Sequence, residues 1–318
     1  MESPVSYPFD PYNQLESQNL PWLISPDWWM NQFFLLLTNK PKSEWRWIPG
    51  ETMVSTPQSV LLGAMYYLMI VMVGQLIMSR FKNPIKLNNI FIVHNLILTS
   101  ASAFLFVGFM EQTIPMLLKH GFFWSICDYY SYTQPLEWLY FCNYLCKWVE
   151  FIDTFFLVMK KKKLQFLHVY HHALTMILCY TQIQGKTSVS WVVCSINLLV
   201  HVIMYYYYYL ASRGISVFWK KYLTIFQIAQ FVIDINLCFF CLYTHMAYHN
   251  FPNLPNMGDC RGTRQAAYAG CILLSSYLTL FVQFFSQVYS EGARIEIRRR
   301  REEKKRLAAL AEAEKKKE

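Results

Sequence analysis

Long apolar runs separated by short polar breaks set the pattern of this chain. Seven runs are long enough to cross a ~30 Å hydrocarbon layer as helices. They fall at about residues 58–79, 89–110, 135–159, 164–184, 187–210, 217–244 and 266–290. An earlier run, Trp28 to Leu37, is too short to cross and rich in Trp, which predicts a segment lying in the membrane interface. The expected fold is an all-α polytopic membrane protein with seven transmembrane helices at 58–290. An interfacial, lumen-side region (1–57) precedes them and a charged tail (291–318) follows. The polar N-terminus lacks a basic, apolar leader, so the first span is expected to act as its own insertion signal.

Polar residues interrupt these runs in register. The stretch LQFLHVYHHALTM places His168, His171 and His172 at i, i+3 and i+4, on one helical face. Ionisable groups at membrane depth are costly and mark functional sites by default. The third span carries KWVEFIDT, where Lys147, Glu150, Asp153 and Thr154 drift only modestly around the helix. A Lys with two carboxylates reads as a functional polar face rather than a tolerated ion pair. The fifth span lines up Asn197, His201, Met204, Tyr205 and Tyr208, while Tyr207 and Tyr209 fit interfacial anchors. The sixth spaces Thr224, Gln227 and Gln230 by three, and amides in hydrocarbon need partners.

Composition and charge place these faces. The chain of 318 residues is 54% hydrophobic and 15% charged, well below the charged fraction of about a quarter usual for soluble domains. The net charge of +9 comes from basic residues at span ends and in the tail, a topology pattern, so no nucleic-acid partner is expected. One side carries 21 Lys and Arg, including Arg80, Lys160 to Lys163, Arg213, Lys220 and the tail; the other carries 7. The positive-inside bias then puts the N-terminus in the lumen or exterior and the C-terminus in the cytosol. The final KKKE reads as a dilysine retrieval signal through Lys315 and Lys316, implying the endoplasmic reticulum. Counting from Lys160, Lys163 and Lys221, Asp153, His171 and Gln227 lie at ~10, ~12 and ~9 Å depth. Polar faces of four helices thus converge in a chamber open toward the cytosol. Seven of the nine cysteines fall in spans and read as packing residues. Cys127 and Cys260 fall in lumenal loops, where a disulfide between them is expected.

Three chemistries fit such a chamber. A di-iron oxygenase also uses HxxHH, but needs about eight histidines on the cytosolic side. Here His120, His245 and His249 fall on the opposite side, and His94 stands alone. Metal-free acid–base or acyl-imidazole catalysis needs only the four chamber histidines. A proton-relaying transporter is the third reading, without a clear repeat or broken-helix pattern to support it.

Taken together, KWVEFIDT, LHVYHH, NLLVHVIMYYYYY and TIFQIAQ resemble the four signature motifs of the ELO family of fatty acid elongases, in the family's order, over roughly residues 58–290. YTQIQGKTSVSW, LASRGISVFWKKYLTIFQIAQF and FPNLPNMGDCRG look most like its fungal, very-long-chain branch that feeds sphingolipid synthesis. The resemblance implies an endoplasmic-reticulum 3-oxoacyl-CoA synthase that condenses acyl-CoA with malonyl-CoA, six of its seven helices forming a barrel around an acyl tunnel. It implies no redox cofactor and no metal in this step. Expected partners are the ketoreductase, dehydratase and enoyl reductase of the elongation cycle and membrane lipid, with homo-oligomerisation left open. On this reading His171 carries the acyl group, and His168, His172 and His201 transfer protons. Asp153 orients a histidine, Lys147 pairs with a carboxylate or with CoA phosphates, and Glu150 is counted with Lys147 among the substrate-binding residues. Asn197, Met204, Tyr205, Tyr208, Thr224, Gln227 and Gln230 face the substrate.

Overall fold

The computed structural model describes residues 23–251 and 253–315, and all regular structure among them is helical. Five helices are long and apolar enough to cross a membrane: α2 (Pro57–Arg80), α3 (Asn88–His120), α8 (Ser190–Ser212), α9 (Lys220–Asn250) and α10 (Arg264–Tyr289). Around them are α1 (Pro26–Thr38), short α4 (Phe122–Cys127), α5 (Gln134–Val149), α6 (Phe151–Met159), α7 (Phe166–Gly185) and the tail helix α11 (Glu291–Lys315). Helices α5 (16 residues) and α6 (9 residues) are each too short to belong to this set, and α7 falls outside it because its histidines and glutamines lower its hydropathy. Residues 1–22 of the N-terminal region and the last three residues of KKKE lie outside the described residues.

Local chemistry fixes the ends. Thr56 caps α2, its hydroxyl accepting from Ser59 N at 3.2 Å, with Pro57 at the first helical position. Thr263 caps α10 through Ala266 N at 3.3 Å. Two elements differ from the sequence expectation. The third span is not one continuous helix: at Glu150 the ladder tightens, with Asp153 N bonding Glu150 O at 3.0 Å, and α6 begins at Phe151. Helix α3 does not stop near 110 but continues to His120 through Pro115, one missing backbone bond being absorbed within 33 residues. Cys127 closes α4 rather than lying in an irregular loop.

Helices α3, α8, α9, α10, α7 and α5 pack pairwise in that order, and α5 returns to α3. Helix α2 lies outside this circuit against α6 and α7. Helix α1 rests on α3 where Gly108 leaves room: a Cβ there would meet Leu139 at 3.0 Å, Pro26 at 3.5 Å and Met30 at 3.7 Å. Glu111 of α3 holds it, accepting from the Ser25 hydroxyl and from Asp27 N, while Lys42 pairs with Asp27. Its outer face, Trp29, Phe33, Leu36 and Leu37, is exposed.

The bundle has two distinct ends. At the lysine-rich end, Lys161 Nζ donates to Phe81 O at 2.6 Å and Ile85 N to Met159 O at 3.0 Å. At the opposite end Cys127 and Cys260 form a disulfide, which ties α4 to the loop before α10. The other seven cysteines are free. The tail helix is solvent-facing, with i,i+4 pairs Arg298–Glu302 at 3.1 Å and Arg300–Glu296 at 2.8 Å.

Candidate active site

Glu150 and helices α6 to α10 enclose a cavity of about 310 Å³ that opens at the lysine-rich end, beside Lys163 and Gln165. His168, His171, His172 and His201 line it, with Glu150, Asp153, Asn197, Met204, Tyr208, Gln227 and Gln230. A second cavity of about 70 Å³ continues deeper, lined largely by apolar and thiol side chains such as Leu178, Cys194, Cys238 and Leu274. The two share His171, Asn197, Gln230 and Phe231. His171 therefore stands at the junction between a wide polar chamber and a narrow apolar one.

Burial leaves every charged group here in need of a partner. Lys147 Nζ donates to Glu150 Oε1 at 2.9 Å and to Asn197 Oδ1 at 3.0 Å. The i,i+3 spacing from the last turn of α5 to its C-cap Glu150 puts the ion pair on one face, and Asn197 arrives from α8. The same Glu150 oxygen lies 3.2 Å from His201 Nδ1, with the ring turned off hydrogen-bonding geometry. One carboxylate is thus shared between an ammonium and an imidazole. On the other wall, Thr154 links Tyr67 OH (2.8 Å) to His168 Nε2 (3.0 Å).

His171 Nδ1 faces Thr175 Oγ1 at 3.4 Å, one turn along α7, and Thr175 donates to Tyr277 OH at 3.2 Å. The Tyr277 ring packs edge-on to His171 with centroids 4.8 Å apart. His172 lies beside His168 with ring centroids 4.4 Å apart and planes tilted by 52°, and its buried Nδ1 has no partner among the described residues.

Two expectations, that Tyr205 and Thr224 face the substrate, are corrected, and the histidine that Asp153 meets lies outside the LHVYHH stretch. Asp153 Oδ1 lies 2.7 Å from Nε2 of His94, the histidine read as solitary, and its Oδ2 accepts from Tyr205 OH at 2.7 Å. Tyr205 is fully buried behind this contact and borders neither cavity. Thr224 is buried and borders neither cavity. Gln227 and Met204 do meet, Nε2 to Sδ at 3.6 Å.

The sequence reading missed His94, Tyr67, Thr175, Tyr277 and Asp234. The last is a fully buried carboxylate one turn after Gln230, which donates to it at 3.2 Å. A lone Asp inside an apolar run was the available signal for Asp234, and Thr175 at i+4 from His171 for the threonine. Nothing in the spacing of α10 marked Tyr277.

Residues 52–297 match the ELO: GNS1/SUR4 family. Putative fatty acid elongase 2 of Schizosaccharomyces pombe is 45% identical over 274 residues, covering 86% of this chain and 75% of that protein. Putative fatty acid elongase 1 of the same organism is 47% identical over 247 residues, covering 78% and 74%. Fatty acid elongase A of Dictyostelium discoideum is 34% identical over 224 residues, covering 70% and 80%. With the family match running through all four polar faces of the chamber, the chain belongs to the ELO family and is a homologue of fungal fatty acid elongases.

Proposed function

We propose that the protein is a very-long-chain 3-oxoacyl-CoA synthase of the endoplasmic reticulum that feeds sphingolipid synthesis. The observation that carries this reading is the position of His171, between a polar chamber fit for CoA thioesters and an apolar extension fit for an acyl chain. In this reading the α5–α6 pair and α7 complete seven membrane crossings. The closed circuit of helix neighbours supports a six-helix barrel around an acyl tunnel. The lysine-rich end faces the cytosol, the N-terminus the lumen, and the remaining enzymes of the elongation cycle act on the product.

An imidazole nitrogen of His171 attacks the acyl-CoA carbonyl; the C–N bond forms, the C–S bond breaks and CoA leaves. The imidazole proton passes to the departing thiolate through His172 or His168. Malonyl-CoA then loses CO₂, and the resulting enolate attacks the acyl-imidazole carbonyl. A C–C bond forms, the C–N bond breaks, and His171 takes up a proton. Thr175 and Tyr277 hold the His171 ring in place. The Glu150 carboxylate lies between Lys147 and His201, and the Lys147 ammonium offsets charge developing on the enolate. In this reading the step uses no metal and no redox cofactor.

The test is purified protein given acyl-CoA without malonyl-CoA, followed by peptide mapping, and separately condensation with acyl-CoAs from C16 to C24. The expected results are CoA release with an acyl adduct on His171, and a 3-oxoacyl product. An adduct on another residue, or full condensation by His171→Ala, removes the assignment to His171. No product with any acyl-CoA removes the proposed activity.

A further inference from the structure

Away from the chamber, at the disulfide end, His245 and His249 stand one turn apart on the last part of α9. Both face Asp259, which precedes Cys260 in the loop leading to α10. His245 Nδ1 lies 2.7 Å from Asp259 Oδ1, and His249 Nε2 lies 3.0 Å from Asp259 Oδ2. One donor atom from each residue falls within 4.8 Å of the others. We propose that His245, His249 and Asp259 form a binding site for a zinc-class divalent cation, which pins the loop before α10 to the end of α9.

Two imidazoles and one carboxylate are the donor set of borderline metals rather than of Mg²⁺ or Ca²⁺. Tetrahedral ligation at ~2.0–2.1 Å holds donor atoms about 3.3 Å apart. The observed 2.7 and 3.0 Å pairs use the two different oxygens of Asp259 and are about 0.3–0.6 Å shorter than this, so ligation needs them to lengthen and the carboxylate to turn toward the ion. His249 and Asp259 are free to make that movement, with side chains 39% and 46% exposed. The same exposure gives the ion a route in and leaves coordination positions for water.

The position suits a structural role. The loop it would hold already carries the disulfide at Cys260, so cation and disulfide fasten neighbouring residues, one to α9 and the other to α4. One neighbour opposes the cation. Arg264 Nε lies 3.4 Å from His245 Nε2, while its Nη2 reaches Asn250 Oδ1 at 3.4 Å. His245 can bind a cation through Nδ1 only with Nε2 protonated, which turns this long contact repulsive. Arg264 then keeps Asn250 alone and weakens the site by its charge.

The test is Zn²⁺ titration of the full-length, chelator-stripped protein in detergent against an indicator chelator, repeated with variants. We expect a Zn²⁺-binding step that His249→Ala and Asp259→Asn weaken at least about 30-fold, beyond the lower range for loss of a ligand's outer partner. Arg264→Gln should tighten it about fivefold by removing a nearby charge. A hydrogen-bonded clasp with no metal predicts the reverse pattern: no titration step that these substitutions move. Zn²⁺ binding that survives both ligand variants belongs to the chamber histidines and overturns the proposal. Asp259→Asn changes neither size nor packing, so it remains informative if a histidine variant does not fold.

Discussion

His94 of α3 and Asp153 of α6 meet at 2.7 Å inside the bundle, and both are buried. The contact fixes α3 against the short helix that carries the acidic end of KWVEFIDT, and Tyr205 completes it from α8 at 2.7 Å. His94→Ala leaves a buried carboxylate with one partner fewer, a loss of about 1–3 kcal/mol of stability. Because Asp153 also borders the chamber, activity should fall as well, while Tyr205→Phe should give a smaller loss of the same kind. Thermal denaturation of both variants in detergent, with condensation rates measured in parallel, checks the order. Equal stability of His94→Ala and the unmodified chain would show that the contact does not hold α3.

The Lys147–Glu150 pair is 2.9 Å long and almost wholly buried. Removing one partner of such a pair leaves an uncompensated charge and costs about 3–5 kcal/mol. Lys147→Met should therefore be poorly folded, and Lys147→Met combined with Glu150→Gln should recover most of the stability but not the activity. The comparison separates fold from chemistry. If the double variant is no more stable than Lys147→Met, the pair is not what makes the single substitution costly.

How much of this was legible from the residues depends on which partner a group needed. Helix positions follow from apolar length, and the faces bearing His168, Gln227 and Asn197 follow from three- and four-residue spacing, since both are properties of one helix. His94 and Tyr277 were not legible, because their roles come from which helix lies opposite, and spacing carries no record of that. The break at Glu150 was hidden for a related reason. No Pro or Gly marks it in KWVEFIDT, and the tightened turn shows only in the backbone bond from Asp153 N to Glu150 O. Tyr205 was misplaced by one helical step: it shares the stripe of His201 but points past the chamber wall to Asp153.

The disulfide joins residues separated by 133 positions. Losing it should cost about 2–4 kcal/mol. A complication is built into the packing, because Cys241 Sγ lies 3.9 Å from Cys127 Sγ. In Cys260→Ser, Cys241 is placed to take over as the partner of Cys127 under oxidising conditions. Cys260→Ser should therefore lose less than Cys241→Ser combined with Cys260→Ser. Peptide mapping without reduction should find the Cys127–Cys241 link in the single variant. A free Cys127 there, with equal stability of the two variants, would count against the exchange.

Gly270 of α10 offers a way to probe the narrow cavity without disturbing the histidines. It lines that cavity and the smaller one beyond it, toward the disulfide end. A Cβ added there meets only Gln182 Nε2 at 3.7 Å and Cys238 Sγ at 4.0 Å, ordinary contacts that displace no backbone. A larger side chain at this position is thus directed into space rather than into a helix. Under the proposed reading that space receives the far end of the acyl chain, while His171 and its partners lie at the other end of the same cavity. Gly270→Leu should leave condensation of shorter acyl-CoAs close to that of the unmodified protein and sharply reduce it for the longest substrates. The product distribution should move to shorter 3-oxoacyl chains. Assays across acyl-CoAs of increasing length decide it, since a folding defect lowers all rates together whereas a blocked tunnel lowers them in order of chain length. A uniform loss across all lengths would mean that this cavity does not hold the growing chain.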